Sequence, residues 1–350
     1  MSKPIKNKTG YKIKVFSSPD DLPSEWDEIY PEHDIFNKRI ILRHLFLHNP
    51  AKQNYIWAEK SDEKILAGLV WRACVYFALG PITIYRPATV CSLPMPFSTT
   101  PGFSDADKLE GMAAAFDGFW GGFQIIYGLP RKGAEIEGWS WRRHLPTVNF
   151  DVRWDSFDEY HDSFRSDYKS RITSSLEKGH KLKVSLISAE QFDEKTYALY
   201  VGVARRYRSL VLPRNFFTEF PTESYILGLK LKDATLAWAF LVPAGRYLYF
   251  LFGGFNDKLN DAYNLYNNLL LAIVRFSIEN KFEKVNLGQT AELSKMRIGG
   301  YPCERYLLVR HTNVLTNQIL RKTDIFEYRK HYPMPNVFKR VDGRRSKYAT

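Results

Sequence analysis

The sequence predicts an α/β (α+β) protein made of two tandem lobes, each with a mixed, mostly antiparallel sheet flanked by helices. The chain has 350 residues, of which 45% are hydrophobic and 15% aromatic, and this length exceeds what one small core requires. The two halves also resemble each other, because Tyr55-Ile56 recurs as Tyr225-Ile226 and Leu66-Ala67 recurs at the same offset as Leu236-Ala237. Each half has the order strand, turn, strand, turn, strand, loop, helix, strand. An internal duplication accounts for both observations.

The predicted elements of the first half are short and alternate with turns. Residues 23–30 and 37–48 are typical of helices, and the second helix ends at Asn49-Pro50. Strands are predicted at 54–59, 64–71, 74–78 and 123–129, with a loop at 94–102 and a helix at 104–119.

The second half begins with a well-marked helix. Ser156 and Glu159 have capping-box spacing, in which each side chain satisfies a free backbone N–H at the helix start. Apolar residues then recur at steps of three and four, namely Phe157, Tyr160, Phe164, Tyr168, Ile172 and Leu176. Further helices are predicted at 188–207, 214–218, 261–280 and 290–298, and strands at 224–230, 235–243, 246–253, 284–287 and 305–310.

Basic residues are concentrated at the two ends of the chain. The formal net charge is +12, but residues 1–14 contain five lysines and no acid, and residues 339–350 contain five cations and one acid. We predict a basic tail at 1–14, a first lobe at 15–150, a second lobe at 151–338 and a second basic tail at 339–350. Such tails attract polyanions without specificity, so the charge alone does not indicate a nucleic-acid-binding protein.

The cysteine and histidine residues do not form a recognisable metal site. Cys74, Cys91 and Cys303 are widely spaced and form neither a disulfide framework nor a paired metal motif. His44 and His48 have the spacing of a zinc half-site but lack a third ligand. No metal is therefore expected.

The hydropathy pattern favours a cytoplasmic protein. The N-terminus lacks the apolar run of a secretory signal. The most apolar stretch, residues 65–85, is interrupted by Arg72 and by Gly80-Pro81, which suits buried strands better than a membrane span.

One local unit has residues suited to acyl or phosphate chemistry. The strand 284–287 is followed by Gly288-Gln289-Thr290 and by a short helix that carries Lys295 and Arg297. Gly288 allows a sharp turn and Thr290 is a candidate N-cap, and a helix start presents free N–H groups to a phosphate or a developing oxyanion. An ordinary strand-to-helix connection with solvated cations has the same pattern, so these residues alone leave both interpretations open.

Several spaced motifs of the second half resemble the C-terminal signature of the FemAB-like acyltransferases of the GNAT superfamily. The similar branch is the one named for its BioF-associated acetyltransferase domain. The motifs are Gly-Phe-Asn-Asp at 254–257, Asn-Leu-Tyr-Asn-Asn-Leu-Leu at 264–270, Val-Asn-Leu-Gly-Gln-Thr at 285–290 and Lys-x-Arg-x-Gly at 295–299. The match covers about residues 156–310, and the first half agrees mainly in layout.

The resemblance implies two GNAT-like lobes and the transfer of an acyl group, from a thioester or an aminoacyl-tRNA ester, to an amine. By position, Lys295 or Arg297 matches the family's cation near the leaving group and the oxyanion, and Tyr266 matches an aromatic residue of the acyl site. Lys169 and Arg171 match a basic helix that could hold a phosphate or carboxylate. The other candidate residues for binding substrate or donor are Tyr249, Asn267, Gly288, Gln289 and Thr290.

The sequence departs from the wider superfamily at the pyrophosphate loop. No clear Arg/Gln-x-x-Gly-x-Gly/Ala motif follows a central strand, and Arg297-Ile298-Gly299-Gly300 is only loosely similar. No general base is evident either, because residues 235–243 contain no acid or histidine. Acyl-CoA and aminoacyl-tRNA both stay open as donors.

The sequence thus predicts an N-acyltransferase that uses acyl-CoA, or a similar activated donor, to acylate an amino group of a small molecule, lipid precursor or peptide. An aminoacyl-tRNA-dependent aminoacyltransferase of the FemAB/peptidoglycan type is the alternative within the class. A non-catalytic nucleic-acid-binding protein, using the basic tails and the helix at 169–183, is the alternative from another class.

Overall fold

A computed structural model describes residues 11–32, 34–49, 51–60, 63–79, 82–94, 101–105, 108–119 and 121–339. The described residues form two compact units that divide after residues 145, 303 and 329, so that residues 304–329 belong to the first unit and residues 146–303 to the second. The predicted boundary at residue 150 is near the first of these divisions, but residues 304–329, assigned by sequence to the second lobe, pack with the first unit. The predicted basic tails fall outside the described residues except for 11–14 and 339.

The strands and helices are numbered in chain order. The strands are β1 (Lys12–Phe16), β2 (Gln53–Lys60), β3 (Glu63–Leu79), β4 (Ile82–Cys91), β5 (Phe123–Leu129), β6 (Ser140–Asp151), β7 (Lys183–Leu186), β8 (Tyr225–Leu231), β9 (Ala234–Ala244), β10 (Tyr247–Phe255), β11 (Lys284–Asn286) and β12 (Tyr301–His311). The helices are α1 (Trp26–Ile29), α2 (Arg39–His48), α3 (Leu109–Ala115), α4 (Phe157–Asp162), α5 (Ser166–Lys178), α6 (Glu194–Arg206), α7 (Arg214–Thr218), α8 (Asp257–Tyr263), α9 (Leu265–Glu279), α10 (Glu292–Arg297) and α11 (Val314–Lys322).

The two units contain the same six-stranded pattern. In the first unit the order is β1-β2-β3-β4-β5-β12, and all neighbours are antiparallel except the parallel pair β4 and β5. In the second unit the order is β7-β8-β9-β10-β11-β6, and β10 with β11 is the parallel pair. The predicted mixed, mostly antiparallel sheets flanked by helices are confirmed.

The sixth strand of each unit comes from the other half of the sequence. β6 follows β5 along the chain but pairs with β11, and β12 follows β11 but pairs with β5. This exchange explains why residues 304–329 belong to the first unit. The strands β1, β4, β6 and β7 and the helix α11 were not predicted from the sequence. Residues 12–14 were predicted to belong to the basic N-terminal tail, but they form the start of β1 and pair with β2.

β3 is one continuous strand, where the sequence predicted two strands at 64–71 and 74–78. Arg72, interpreted as an interruption, pairs in register with Thr89 of β4, and the ladder continues on both sides. Arg72 is exposed, whereas Trp71 and Ala73 pack against a core cluster. The arginine therefore occupies the solvent-facing position of an alternating strand.

The helix predicted from Ser156 onward is divided into α4 and α5. The Ser156 hydroxyl accepts a hydrogen bond from the Glu159 N–H (3.2 Å), while the Glu159 carboxylate accepts from the Asp155 N–H (3.0 Å). The division falls at residues 163–165, where the Ser163 carbonyl and the Arg165 N–H bond to a later segment of the chain. The predicted apolar face is present, since Phe157, Tyr160, Phe164 and Ile172 are buried.

The core of the second unit positions the candidate residues. α9 packs on β8, β9 and β10 through buried residues that include Leu265, Leu269, Leu270 and Ile273. α8 and α9 follow the end of β10, and α10 follows β11, so both helical segments leave from the parallel strand pair. Among the described residues, no helix has the length and apolar character needed to cross a membrane.

Candidate functional site

The turn after β11 is built around Gly288. Its φ of +73° lies in the left-handed region that glycine adopts readily. The Asn286 side-chain oxygen accepts the Gly288 N–H (2.8 Å), and the Gly288 carbonyl accepts the Val148 N–H (2.9 Å). Both backbone groups of Gly288 are therefore used within the protein, and the residue shapes the turn.

The start of α10 differs from the prediction. Thr290 was predicted as the N-cap, but Ala291 occupies that position and provides no side-chain cap. Thr290 and Ala291 have φ values of +62° and +48°. These two left-handed residues extend the turn and delay the helix to Glu292, which moves the Thr290 side chain out of the capping position.

Lys295 is buried within α10 and is 2% exposed. Its ammonium donates a hydrogen bond to the Gln289 carbonyl (2.6 Å). Burial lowers the pKa of Lys295 to about 7, although the nearby Glu292 charge acts in the opposite direction. At neutral pH this side chain can therefore either carry or accept a proton.

Tyr266 and Lys295 share an acidic neighbour that the sequence reasoning missed. Burial raises the pKa of the Tyr266 hydroxyl, and the charges of Tyr207 and Glu292 raise it further. The Tyr266 ring also packs against Phe255, with centroids 5.7 Å apart. Because Glu292 acts on both groups, Lys295, Tyr266 and Glu292 form one cluster, here named the Lys295 cluster.

A cavity of about 380 Å³ in the second unit is lined by Asn267 and Arg297, which are close in sequence to Tyr266 and Lys295. Three predicted residues, Arg171, Asn267 and Arg297, line it together. Its full lining comes from α5, from residues 264–271 and from the end of α10, and consists of Ser170, Arg171, Ile172, Ser174, Ser175, Lys178, Asn264, Asn267, Leu271, Arg297 and Ile298. These lining residues include three cations and no acid, so the cavity favours an anion.

Two asparagines give the cavity an ordered polar wall. The Asn264 amide donates to the Ser175 hydroxyl (2.7 Å), and the Asn267 amide donates to the Asn264 side-chain oxygen (2.8 Å). Asn264 itself has a left-handed backbone, with a φ of +47°, where α8 ends and α9 begins. The asparagine-rich motif could be found from the sequence, but its contact with α5 could not.

Lys169 does not lie with the other predicted cations. Its ammonium bonds to the Asp162 carboxylate (2.7 Å), which holds the pKa of that carboxyl below its usual value. Lys169 and Arg171 are separated by roughly 200° around an α-helix, so only one of them can line the cavity. Of the two predicted cations of α5, Arg171 lines the cavity and Lys169 does not, while Lys178 of the same helix also lines it.

The other predicted residues have structural contacts. Tyr249 is buried on β10, directly opposite Asn286 in the parallel ladder. Gln289 contributes its carbonyl to Lys295. His44 and His48 lie side by side with ring centroids 4.4 Å apart, and no group of three or more metal-binding side chains occurs in the part of the chain that the structure describes.

Comparison with known proteins identifies the fold. No protein-family model matches the chain, and no curated protein matches it. The structure of FemX has a TM-score of 0.51 and 13% identity, covering 85% of this chain and 98% of FemX. Lower scores are found for the C-terminal domain of a putative lysylphosphatidylglycerol synthetase from Agrobacterium fabrum (TM-score 0.49, 11% identity, 86% and 93% covered) and for Saccharomyces cerevisiae N-myristoyltransferase with bound myristoyl-CoA (0.47, 10%, 88% and 81%). The likeness to FemX shows that the chain has a FemX-like fold, in agreement with the FemAB-like resemblance of the sequence motifs.

Proposed function

We propose that this protein is an N-acyltransferase whose reaction takes place in the second unit. The likeness of its fold to that of FemX and the FemAB-like motifs at 254–299 support this class. One observation carries the proposal: the buried Lys295 has a pKa of about 7 and lies two residues before Arg297, which lines an acid-free cavity with Arg171 and Lys178.

The cavity suits the anionic part of an activated acyl donor. Acyl-CoA and aminoacyl-tRNA both carry phosphates, and guanidinium groups bind phosphate through paired N–H donors. Arg171 and Arg297 supply such groups from two different helices, and Lys178 adds a third positive charge. We assign the donor's phosphates to these three residues.

Lys295 is assigned the proton transfer. In its neutral form it accepts the proton that the acceptor amine loses as the new C–N bond forms and the C–S or C–O bond of the donor breaks. It then returns that proton to the leaving sulfur or oxygen. Because the side chain is buried, binding of the acceptor must open the packing around it, and we expect this step to precede transfer.

The donor is proposed to be acyl-CoA or a similar thioester, with aminoacyl-tRNA as the alternative. A nucleic-acid-binding function without catalysis is the competing hypothesis. The predicted basic helix at 169–183 ends at Lys178, and Lys183 belongs to β7. The ion pair between Lys169 and Asp162 leaves less unpaired charge on α5, and both observations weaken that hypothesis.

The function is tested by supplying each donor separately to the full chain with pools of amino acids, amino sugars and peptides. Mass spectrometry is expected to find an N-acylated product with one donor, accompanied by free thiol when the donor is acyl-CoA.

Lys295→Met is expected to lower kcat by about 100-fold or more. Lys195→Met, which removes an exposed lysine of α6, is the matched control and is expected to keep full activity. Full activity of Lys295→Met would show that the site assignment is wrong.

The pH dependence follows from the assigned role. With an acceptor amine that is neutral throughout the range, kcat is expected to rise as Lys295 loses its proton near pH 7 and then to level off. A rate that falls through pH 7 would instead indicate that charged Lys295 is the active form.

A further inference from the structure

The end of the described chain returns to the second unit as a short strap, residues 336–339. Its backbone pairs with the junction between α4 and α5: the Arg165 N–H donates to the Val337 carbonyl (3.0 Å), and the Lys339 N–H donates to the Ser163 carbonyl (2.9 Å). Phe164 and Phe338 face each other in this antiparallel bridge. The backbone groups of residues 163–165, where the predicted long helix divides into α4 and α5, therefore hold the strap in register.

Phe338 connects the strap to the end of α10. One side of its ring packs against Trp154 and Phe164, with centroids 5.1 Å and 4.7 Å away. Another side lies against Gly299, so closely that a Cβ atom added to Gly299 would overlap the ring. Gly299 also has a φ of +99°, so only glycine fits there without strain.

Gly299 belongs to the turn that ends α10. The next residue, Gly300, donates its N–H to the Lys295 carbonyl (3.0 Å). From the other side, the buried Tyr160 hydroxyl donates to the Ile298 carbonyl (2.8 Å). The segment from Lys295 to Gly300 is thus held by a hydrogen bond from α4 and by the ring of Phe338.

We propose that Phe338 is a positioning residue, through which the strap holds the end of α10 so that Arg297 stays at the cavity and Lys295 stays dry. The roles of Lys295 and Arg297 rest on the proposed function, but the positioning by Phe338 is a property of the fold. It acts through Gly299 and needs no contact with a substrate.

The test compares Phe338→Ala with Val337→Ala in the full chain. Val337 is buried in the same strap and belongs to the core cluster, so its truncation is a smaller loss of buried packing from the same strap. Two readouts are used: the titration of Lys295 followed by NMR of its side-chain CH₂ next to nitrogen, and the affinity of the cavity for inorganic pyrophosphate measured by calorimetry.

In Phe338→Ala we expect the titration midpoint of Lys295 to move from about 7 toward its ordinary value of 10.5, because water reaches the ammonium. Pyrophosphate is expected to bind about tenfold more weakly. Phe338→Leu, which keeps part of the packing, should shift both properties by an intermediate amount, and Val337→Ala should leave both at the wild-type values.

The proposal is overturned if Phe338→Ala leaves the Lys295 titration and the pyrophosphate affinity unchanged, or if Val337→Ala changes them equally. If Phe338→Ala does not fold, the same two readouts are measured on Phe338→Leu. The proposal then requires a partial shift of both the Lys295 titration midpoint and the pyrophosphate affinity, and unchanged values overturn it. Absence of acyl transfer by the wild-type protein would refute the proposed function but would not alter these two measurements.

Discussion

At the scale of single residues, the burial of Lys295 is the least expected feature of the candidate site. Moving an ammonium out of water disfavours its charged form, and here the charge of Glu292 opposes that effect. Sequence motifs placed a cation at this position. They could not reveal that its charge is only partly retained at neutral pH, because burial depends on residues distant in sequence.

Lys295→Met is expected to stabilise the protein most at low pH. In the wild type the lysine has a pKa of about 7 when folded and 10.5 when unfolded, so the unfolded state binds more protons between these values and wild-type stability rises with pH. The advantage of the variant should therefore be largest below pH 7 and should shrink above it, by at most about 1.4 kcal/mol per pH unit.

Urea unfolding of the wild type and of Lys295→Met from pH 6 to pH 9 measures how the difference between their free energies of unfolding changes with pH. Lys195→Met, on the surface of α6, should show no such pH-dependent difference. A Lys295→Met difference that is constant with pH would mean that the lysine titrates normally.

At the scale of elements, α6 packs closely against β10 at Gly254. A Cβ atom at that position would overlap backbone atoms of Leu199 and Tyr200, which cannot move independently of the helix. In the sequence, Gly254 was noted only as part of the motif at 254–257. The structure explains the glycine, because α6 packs against the strand at this position and leaves no room for a side chain.

Gly254→Ala is expected to lower the free energy of unfolding by about 1 to 3 kcal/mol because α6 must shift away from the strand. Gly202→Ala is the matched control, since a Cβ there meets nothing within 4 Å. Within α6 this second change is expected to stabilise the protein by roughly 0.5 to 1 kcal/mol. Thermal unfolding of both variants measures the two effects, and equal losses would contradict the packing argument.

Local patterns predicted the elements well where neighbouring residues determine them. The capping box at Ser156 and the apolar periodicity that follows it are features of this kind, as are the bounds of β5 and α7. The break at 163–165 was missed because the strap at 336–339, far away in the sequence, provides the partners for the exposed backbone groups. The helix propensities of residues 163–165 contain no information about a partner so distant in the sequence.

At the scale of the whole molecule, the two repeats exchange their last strands. β12 brings Leu307, Leu308 and Val309 into the cores of the first unit, although the sequence places it after the second unit's β11. Removing it would leave β5 with an unpaired edge and the cores without these side chains.

Division of the chain near the predicted boundary is therefore expected to give two fragments that do not fold well alone. Residues 1–155 lack β12, and residues 156–350 lack the part of β6 that pairs with β11. Neither fragment should show a cooperative urea transition, whereas a mixture of both should recover one. Cooperative unfolding of each fragment by itself would show that the exchanged strands are dispensable.

The sequence by itself determined the duplicated α/β architecture and most of the helices and strands of the second half, whereas the site near residues 254–299 stays a prediction. These follow from periodicity, turn residues and motif spacing, which act over a few residues. Only the tertiary structure decided which cations share a cavity, because Arg171, Lys178 and Arg297 are brought together by helix packing. It also decided that Lys295 is buried and that each unit takes its sixth strand from the other half, since burial and strand pairing depend on segments more than a hundred residues apart.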